Sequence, residues 1–445
     1  MAAFLSDWTT IATYPVIEVA SEIIPLGRDS EDIDEVRDQE DTDDNVHQEV
    51  GDVRREVAGE LGDEAPCVRI CWRRNQRIDI EFNPPFRSRG LTVTDSEMKQ
   101  VLQDLPGNDL EISPEKLNSV LREMISEAAI RALRSTKEKS HDALVYETNE
   151  RLGFEKRNYA VWKEPLDLLE LFLLATIDIG DEFNQKYRPD AAKTNDFVFE
   201  ALTRLHGRAC QVGHEILTLL KSGYADGANA RWRTLHEIVV ISYLIKEHGN
   251  DMAERYLLYN YIESFQSISD YFHDTELYEN HRAILGDELP SQDEMERIEK
   301  TKNELCTRFG NGYSRPYGWV DGSRGWTFKE LESKAGIDHL RPYYKMANIS
   351  IHAGPKGVRF SLGSPNNNII PVGASNMGLA DPGMTTAISL LNMNVALFNT
   401  RPDVGHLITL KTMSLLADEV MDAFDRCHKE TWAKYERRKR LQEPD

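Results

Sequence analysis

Apolar positions recur at helical spacing through most of the second half of the chain. Val198, Leu202, Leu205, Ala209, Val212, Ile216 and Leu219 share one face over 198–220, and Lys221-Ser222-Gly223 ends that segment. A helix over 226–246 follows at once, then helices over 252–272 and 292–309. Upstream, residues 166–183 read as an apolar helix beginning after Pro165. A loop rich in glycine and aromatic residues (310–326) precedes two short helices, one from Thr327 and one from Asp338 to about Ser350. Residues 353–378 carry many Gly, Asn and Pro, and 358–362 with 369–372 read as a hairpin. Closing helices span about 384–398 and Val404 to near Arg438.

The first third has a different pattern. Cys67–Trp72 and Ile78–Phe82 alternate apolar and polar residues around Arg73–Arg77, the signature of a β-hairpin. A short helix follows Asp95. Another starts at Ser113-Pro114, with Ser as cap and Pro in the first turn, and carries Leu117, Val120, Leu121, Met124, Ile125, Ala128 and Ala132 as a stripe. The expected fold class is mainly α: a helical-bundle C-terminal domain over 160–440, preceded by a small α+β module over 66–140. An N-terminal arm (1–27) and an acidic linker (28–65) complete the chain. The linker has too few large apolar residues to offset its ordering entropy and is expected to be disordered.

Charge sharpens this division. The formal net charge is −22. Residues 28–64 hold sixteen Asp/Glu against four Arg, so over half of the excess sits in the linker. The remainder is only mildly acidic and has room for a local basic patch, such as Arg69, Arg73, Arg74 and Arg77 beside Trp72. That run suits a phosphate or the acidic linker, and equally a solvated strand face. Five cysteines are scattered without zinc-finger spacing, and no H-x-x-x-H, Walker A or nucleophile-elbow motif occurs. No metal and no cofactor is expected. The N-terminus lacks a basic region before its apolar stretch, and the longest apolar run, Ile238–Ile245, falls far short of the roughly 20 residues a membrane span needs. A cytoplasmic protein with no membrane partner is expected.

The segment GYADGANARWRTLHEIVVISYLIKEHG holds the candidate chemistry. Ile238–Ile245 is apolar nearly all round, which predicts burial on every side. Just before it stand Arg231, Arg233, His236 and Glu237, with Arg233 and Glu237 four apart and so on one face. A charged pair there must be internally paired or line a wet cavity. Either it fixes helix register, or Arg233 binds an anion that Glu237 orients or deprotonates. Downstream, Tyr343, Tyr344, Ser350 and His352 stand where a helix ends before Gly354. The carbonyl end of a helix favours a protonated imidazole, although histidine there is also an ordinary cap.

The arrangement Gly223-Tyr224, Ala230-x-x-Arg233-x-x-x-Glu237, Arg255-Tyr256…Tyr259, Trp326, then Tyr344…Ser350-x-His352 resembles a family of bacterial and phage-borne helical proteins carrying only a domain-of-unknown-function label. The resemblance covers roughly 165–400 and implies that Arg233, Glu237, Ser350 and His352 are the family's polar positions. Such proteins are compared with the HEPN superfamily of toxin and defence ribonucleases, whose signature is Arg-x4–6-His, and Arg231-x4-His236 has that spacing. In that chemistry the histidine acts as base on a ribose hydroxyl and the arginine stabilises the phosphorane, without metal. The same spacing recurs at Arg401 and His406, however. Positions 231 and 236 also lie about 140° apart on a regular helix, so they converge only through a distorted helix or a dimer partner.

Two expectations follow. One is a stress or phage-defence effector, a metal-independent ribonuclease using Arg233, Glu237 and His352, with Arg231, His236, Ser350 and Tyr344 as weaker candidates. The other is a non-enzymatic helical binding protein whose Arg233/Glu237 cluster is structural or recognises a small anion or a partner. The candidate partners are RNA, a small anionic ligand and a second copy of the chain.

Overall fold

Pro165 sets the first feature of the architecture. Helix α1 (Pro114–Thr194) does not end before it but continues through a kink, with Trp162 at φ −102°, ψ 20°. Proline lacks the N–H that would bond the carbonyl four residues back, and its ring clashes there. The freed carbonyl is that of Val161, and the Cys427 thiol donates to it at 3.2 Å. Trp162 is fully buried, its indole N–H donating to the Asn376 carbonyl at 2.9 Å. The long helix therefore runs through residue 140, where the sequence pattern suggests that a separate module ends. The computed structural model describes residues 67–72, 78–82, 114–286, 289–365 and 369–442. The N-terminal arm, the acidic linker, the basic turn at 73–77 and the short helix after Asp95 lie outside the described residues.

The molecule is mainly helical. Helix α2 (Phe197–Lys221) is capped by Asp196, which accepts from the Phe199 N–H at 2.9 Å. At its far end the Asn158 amide of α1 donates to the Leu220 and Lys221 carbonyls at 3.0 and 2.9 Å, satisfying groups a helix leaves open. Gly223 follows at φ 78°, and a Cβ there would lie 2.5 Å from the Phe154 ring and 2.8 Å from the Ser375 carbonyl. Only glycine fits, and the chain turns directly into α3 (Ala225–His248). The expected helix over 252–272 is two, α4 (Asn250–Leu258) and α5 (Asn260–His273), meeting at Tyr259. A helix the pattern does not reveal, α6 (Thr275–Leu285), precedes α7 (Gln292–Phe309). Next come α8 (Phe328–Ala335), α9 (Arg341–Ile351) and the short α10 (Pro355–Arg359), then α11 (Ala380–Phe398) and α12 (Val404–Gln442).

The expected hairpin over 358–372 does not form. Pro355 starts a helical turn at a position that suits its fixed φ. Ile369–Pro371 pairs instead with Cys67–Arg69, antiparallel. That makes a three-stranded sheet in the order Ile78–Phe82, Cys67–Trp72, Ile369–Pro371.

The bundle core is built around α11 rather than α3. Nearly every residue of α11 is buried, whereas Ile241 and Tyr243 in the apolar run of α3 are half-buried. A helix buried all round must satisfy its own polar groups. Thr385 and Thr386 donate to the carbonyls four residues back, at 2.8 and 2.6 Å. Asn394 faces His206 Nε2 at 2.9 Å and donates to Thr176 at 3.2 Å. Ser389 accepts from the Trp232 indole of α3 at 2.9 Å.

Two glycines test this packing with opposite signs. Gly207 lies inside α2, and a Cβ added there would have nothing within 4 Å, so Gly207→Ala is expected to stabilise by about 0.5–1 kcal/mol. In α11 a Cβ on Gly383 would meet the Phe424 ring at 2.3 Å, so Gly383→Ala is expected to destabilise by about 1–3 kcal/mol despite the same gain in helix propensity. Urea unfolding of the two variants checks both signs.

Candidate functional site

On α3, Arg233, Glu237 and Ile241 stand at i, i+4 and i+8 and share one stripe. Arg233 Nη2 lies 3.0 Å from Glu237 Oε1. Tyr344 of α9 donates its hydroxyl to that same oxygen at 2.7 Å. The Arg233 guanidinium also lies over the Tyr344 ring, 4.8 Å from its centroid. Arg233 and Glu237 remain 32% and 28% exposed, so water screens their attraction and the pair itself contributes about 1 kcal/mol or less. The Tyr344 hydroxyl is pushed above its ordinary pKa, first by burial and then by the Glu237 carboxylate it faces. It is therefore a hydrogen-bond donor throughout the physiological range.

Directly behind this layer is a second, drier one. His236 and Glu332 are both fully buried, with Nε2 2.9 Å from Oε1. Arg341, from the start of α9, pairs with the other Glu332 oxygen. The imidazole stacks on Trp232 (5.4 Å between centroids) and meets Tyr344 at 5.6 Å and Phe328 at 5.9 Å. Its Nδ1 has no partner among the described residues. With Glu332 as acceptor, Nε2 carries the proton, and the carboxylate obtains the two partners that a buried charge requires. Glu332 is held at this point by the capping box that opens α8. There Thr327 accepts from the Glu330 N–H, and Glu330 accepts from the Thr327 N–H at 2.7 Å and from Arg324 at 2.8 Å.

The remaining sequence candidates fall elsewhere. Arg231 turns to the other side of α3 and pairs with Glu215 of α2, with Thr234 at 3.2 Å. Ser350 donates to Asp226 at 3.3 Å. Asp226 also accepts from Ser361 at 2.5 Å and from the Leu362 N–H at 3.0 Å, which ties the 350–362 segment to the start of α3. A cavity of about 260 Å³ opens beside it, lined by Gly223, Tyr224, Ser350 and Arg359 among others. His352 caps α9 through its backbone N–H, and its side chain is exposed. Among the described residues no hydrogen bond joins His352 to Arg233, Glu237 or Tyr344. The structure thus brings Arg233, Glu237 and Tyr344 together with His236 beneath them, and leaves Arg231, Ser350 and His352 outside.

The Arg233–Glu237–Ile241 stripe leads into a groove of about 730 Å³. One wall is α2, with Arg204 and Arg208 one turn apart and Leu205 between them. The other is formed by Tyr256, Tyr259, Asn260 and Glu263 of α4–α5 and by Pro316, Tyr317 and Trp319 of the glycine-rich loop, with Ile241 among the residues lining the floor. The loop is tied down around Tyr317. Arg255 donates to the Trp319 and Val320 carbonyls at 2.9 and 3.0 Å, Tyr259 to the Arg315 carbonyl at 2.7 Å, and the Trp326 N–H to the Pro316 carbonyl at 2.8 Å. Tyr317 itself sits at φ 53°, left-handed backbone that a bulky residue rarely adopts. It lines the groove, and its ring lies 6.4 Å from that of Phe328, which packs on Tyr344, so it stands where the cluster and the groove meet; burial first, then Glu237, raises its hydroxyl pKa. The volume is that of a small-molecule site. Among the described residues no three His, Cys, Asp or Glu side chains cluster to hold a metal ion, and no helix is long and apolar enough to cross a membrane.

Local sequence signals could have exposed part of this. Arg204 and Arg208 stand at i, i+4 on the polar side of an amphipathic helix, and the aromatic spacing of Tyr256, Tyr259 and the 310–326 loop is visible in the chain. Glu332 and Arg341 carry no such signal, because only the fold brings them to His236.

The capping box yields a pH prediction. Arg324 first, then the Thr327 N–H and hydroxyl, hold the Glu330 carboxyl down at about 2, against 4.5 ordinarily. A carboxylate favoured in the folded state contributes stability that is complete above about 4.5 and is lost as pH falls through about 2. Hydrogen-exchange protection at Leu331 and Glu332, measured relative to the intrinsic rate at each pH, is expected to fall over that window in the wild type, and Glu330→Gln is expected to remove that loss of protection.

A protein-family model described as "Family of unknown function (DUF5677)" matches residues 199–369, well under half of the chain, and that span contains every residue of the cluster and of the groove. No curated protein and no solved structure matches the chain.

Proposed function

We propose that this chain is a non-enzymatic helical binding protein that seats a small anionic ligand in the groove beside α2, with the Arg233–Glu237 cluster serving as a structural pin. The observation that carries this reading is the contrast between the two sets of charges. In the cluster, Arg233, Glu237, Tyr344, His236, Glu332 and Arg341 bind one another. In the groove, Arg208 has a single side-chain partner, the Gln211 amide oxygen at 2.7 Å, and no carboxylate among the described residues. Arg204 shares its one carboxylate, Glu200, with Arg188. Two guanidiniums one turn apart suit a carboxylate or phosphate, which they meet with several parallel N–H donors.

The ribonuclease expectation, and with it a defence role, has less to support it. Metal-independent RNA cleavage needs a histidine base beside an arginine at one phosphate. His236 spends its Nε2 on Glu332, and His352, exposed at the end of α9, makes no hydrogen bond to Arg233, Glu237 or Tyr344 among the described residues. Arg231, the spacing partner of His236, is engaged with Glu215.

Calorimetric titration of the full-length protein with inorganic pyrophosphate tests the reading. Binding is expected, and Arg204→Glu/Arg208→Glu should weaken it at least tenfold, while His352→Ala leaves it unchanged. Labelled tRNA incubated with the protein, with or without chelator, should stay intact. Cleavage that disappears in His352→Ala would replace this reading with the nuclease one.

A further inference from the structure

The two walls of the groove differ chemically in a way that a bare anion does not use. Resting on the anion-binding reading above, we propose that the groove is a purine nucleotide site, with guanine preferred over adenine. Its α2 wall offers Arg204 and Arg208 for phosphate. Its opposite wall offers aromatic residues: Tyr256 and Tyr317 line the groove and are half-buried, and Trp319 meets Tyr256 edge-to-face at 5.2 Å. Flat aromatic faces stack bases whatever their identity.

Three polar groups on the ring-bearing wall have no hydrogen-bond partner among the described residues. The Asn260 amide and the Glu263 carboxylate stand three apart on α5, at the rim, and neither makes a side-chain hydrogen bond or ion pair among the described residues. The Tyr256 hydroxyl likewise makes no hydrogen bond among them. A carboxylate is an acceptor-only fork. It matches the two parallel N–H donors on the guanine edge, N1–H and N2–H, and faces a lone pair at N1 of adenine. Asn260, which donates and accepts, suits the adjoining ring or ribose positions. The backbone near Tyr317 agrees with a built site. Residues 315, 316, 319 and 320 are each tied by hydrogen bonds that hold this tyrosine in its left-handed conformation at the junction with the Arg233–Glu237 cluster.

Titration of the full-length protein with GDP, ADP, pyrophosphate and a single-stranded oligoribonucleotide tests the proposal. GDP is expected to bind at least tenfold more tightly than pyrophosphate and more tightly than ADP. Tyr256→Ala should weaken GDP at least tenfold and leave pyrophosphate unchanged. Glu263→Gln, a rim substitution with no packing role, should abolish the GDP preference over ADP even where Tyr256→Ala fails to fold. Equal affinity for GDP and pyrophosphate, both lost in Arg204→Glu/Arg208→Glu, would overturn the nucleotide assignment and leave the anion reading standing. No binding of any of the four would overturn both. Binding of the oligoribonucleotide without either mononucleotide would overturn the assignment in favour of RNA.

Discussion

A carboxylate with no solvent contact organises the centre of this molecule. Glu332 lies on a helix of only eight residues, yet it is fully buried, and desolvating a charge costs several kcal/mol unless partners replace the lost water. His236 and Arg341 are those partners, one on each oxygen. They come from α3, nearly a hundred residues upstream, and from the start of the next helix, α9, so the α8–α9 turn must meet α3 at one point. Everything nearer the surface is set by that meeting. Tyr344 is carried on α9 one turn after Arg341, where it covers the imidazole and reaches Glu237. Arg233 then closes over the Tyr344 ring.

The same arrangement explains why the exposed pair differs from the buried one. Arg233 and Glu237 sit on the solvent side of Tyr344 and are a third exposed, so their ion pair orients more than it stabilises. The His236–Glu332 pair beneath is dry, and breaking it leaves a buried charge short of a partner. Orientation still matters for the groove, because Ile241 continues the stripe into its floor and Tyr317 stands between cluster and groove.

Much of the helical frame is legible in the amino-acid pattern, since amphipathic spacing and terminators act locally. Helix α7 follows its expected span, and α2, α3 and α8 lie within one or two residues of theirs. The Arg233–Glu237 pairing is legible for the same reason, because four residues apart on a helix is a local relation. Long-range geometry is not. Pro165 reads as a helix boundary, and only the Cys427 thiol, 266 residues beyond Val161, shows how the freed Val161 carbonyl is satisfied within a kinked helix. Ile369–Pro371 reads as half of a local hairpin because its true neighbour, Cys67–Arg69, is some three hundred residues away. His352 is paired with Glu237 by the family resemblance alone, whereas the partner that reaches Glu237 is Tyr344. Glu332 is invisible in sequence because burial of a carboxylate is a property of the packed elements around it.

Coupling between His236 and Glu332 is the most direct test that the polar centre is a structural pin. A urea-unfolding cycle of His236→Leu, Glu332→Leu and the double variant measures it. Each single change is expected to cost about 3–5 kcal/mol by leaving a buried polar partner uncompensated. The double variant should cost no more than the worse single one, giving a coupling of about 3 kcal/mol or more. Single costs that add to within about 0.5 kcal/mol in the double variant would contradict the account.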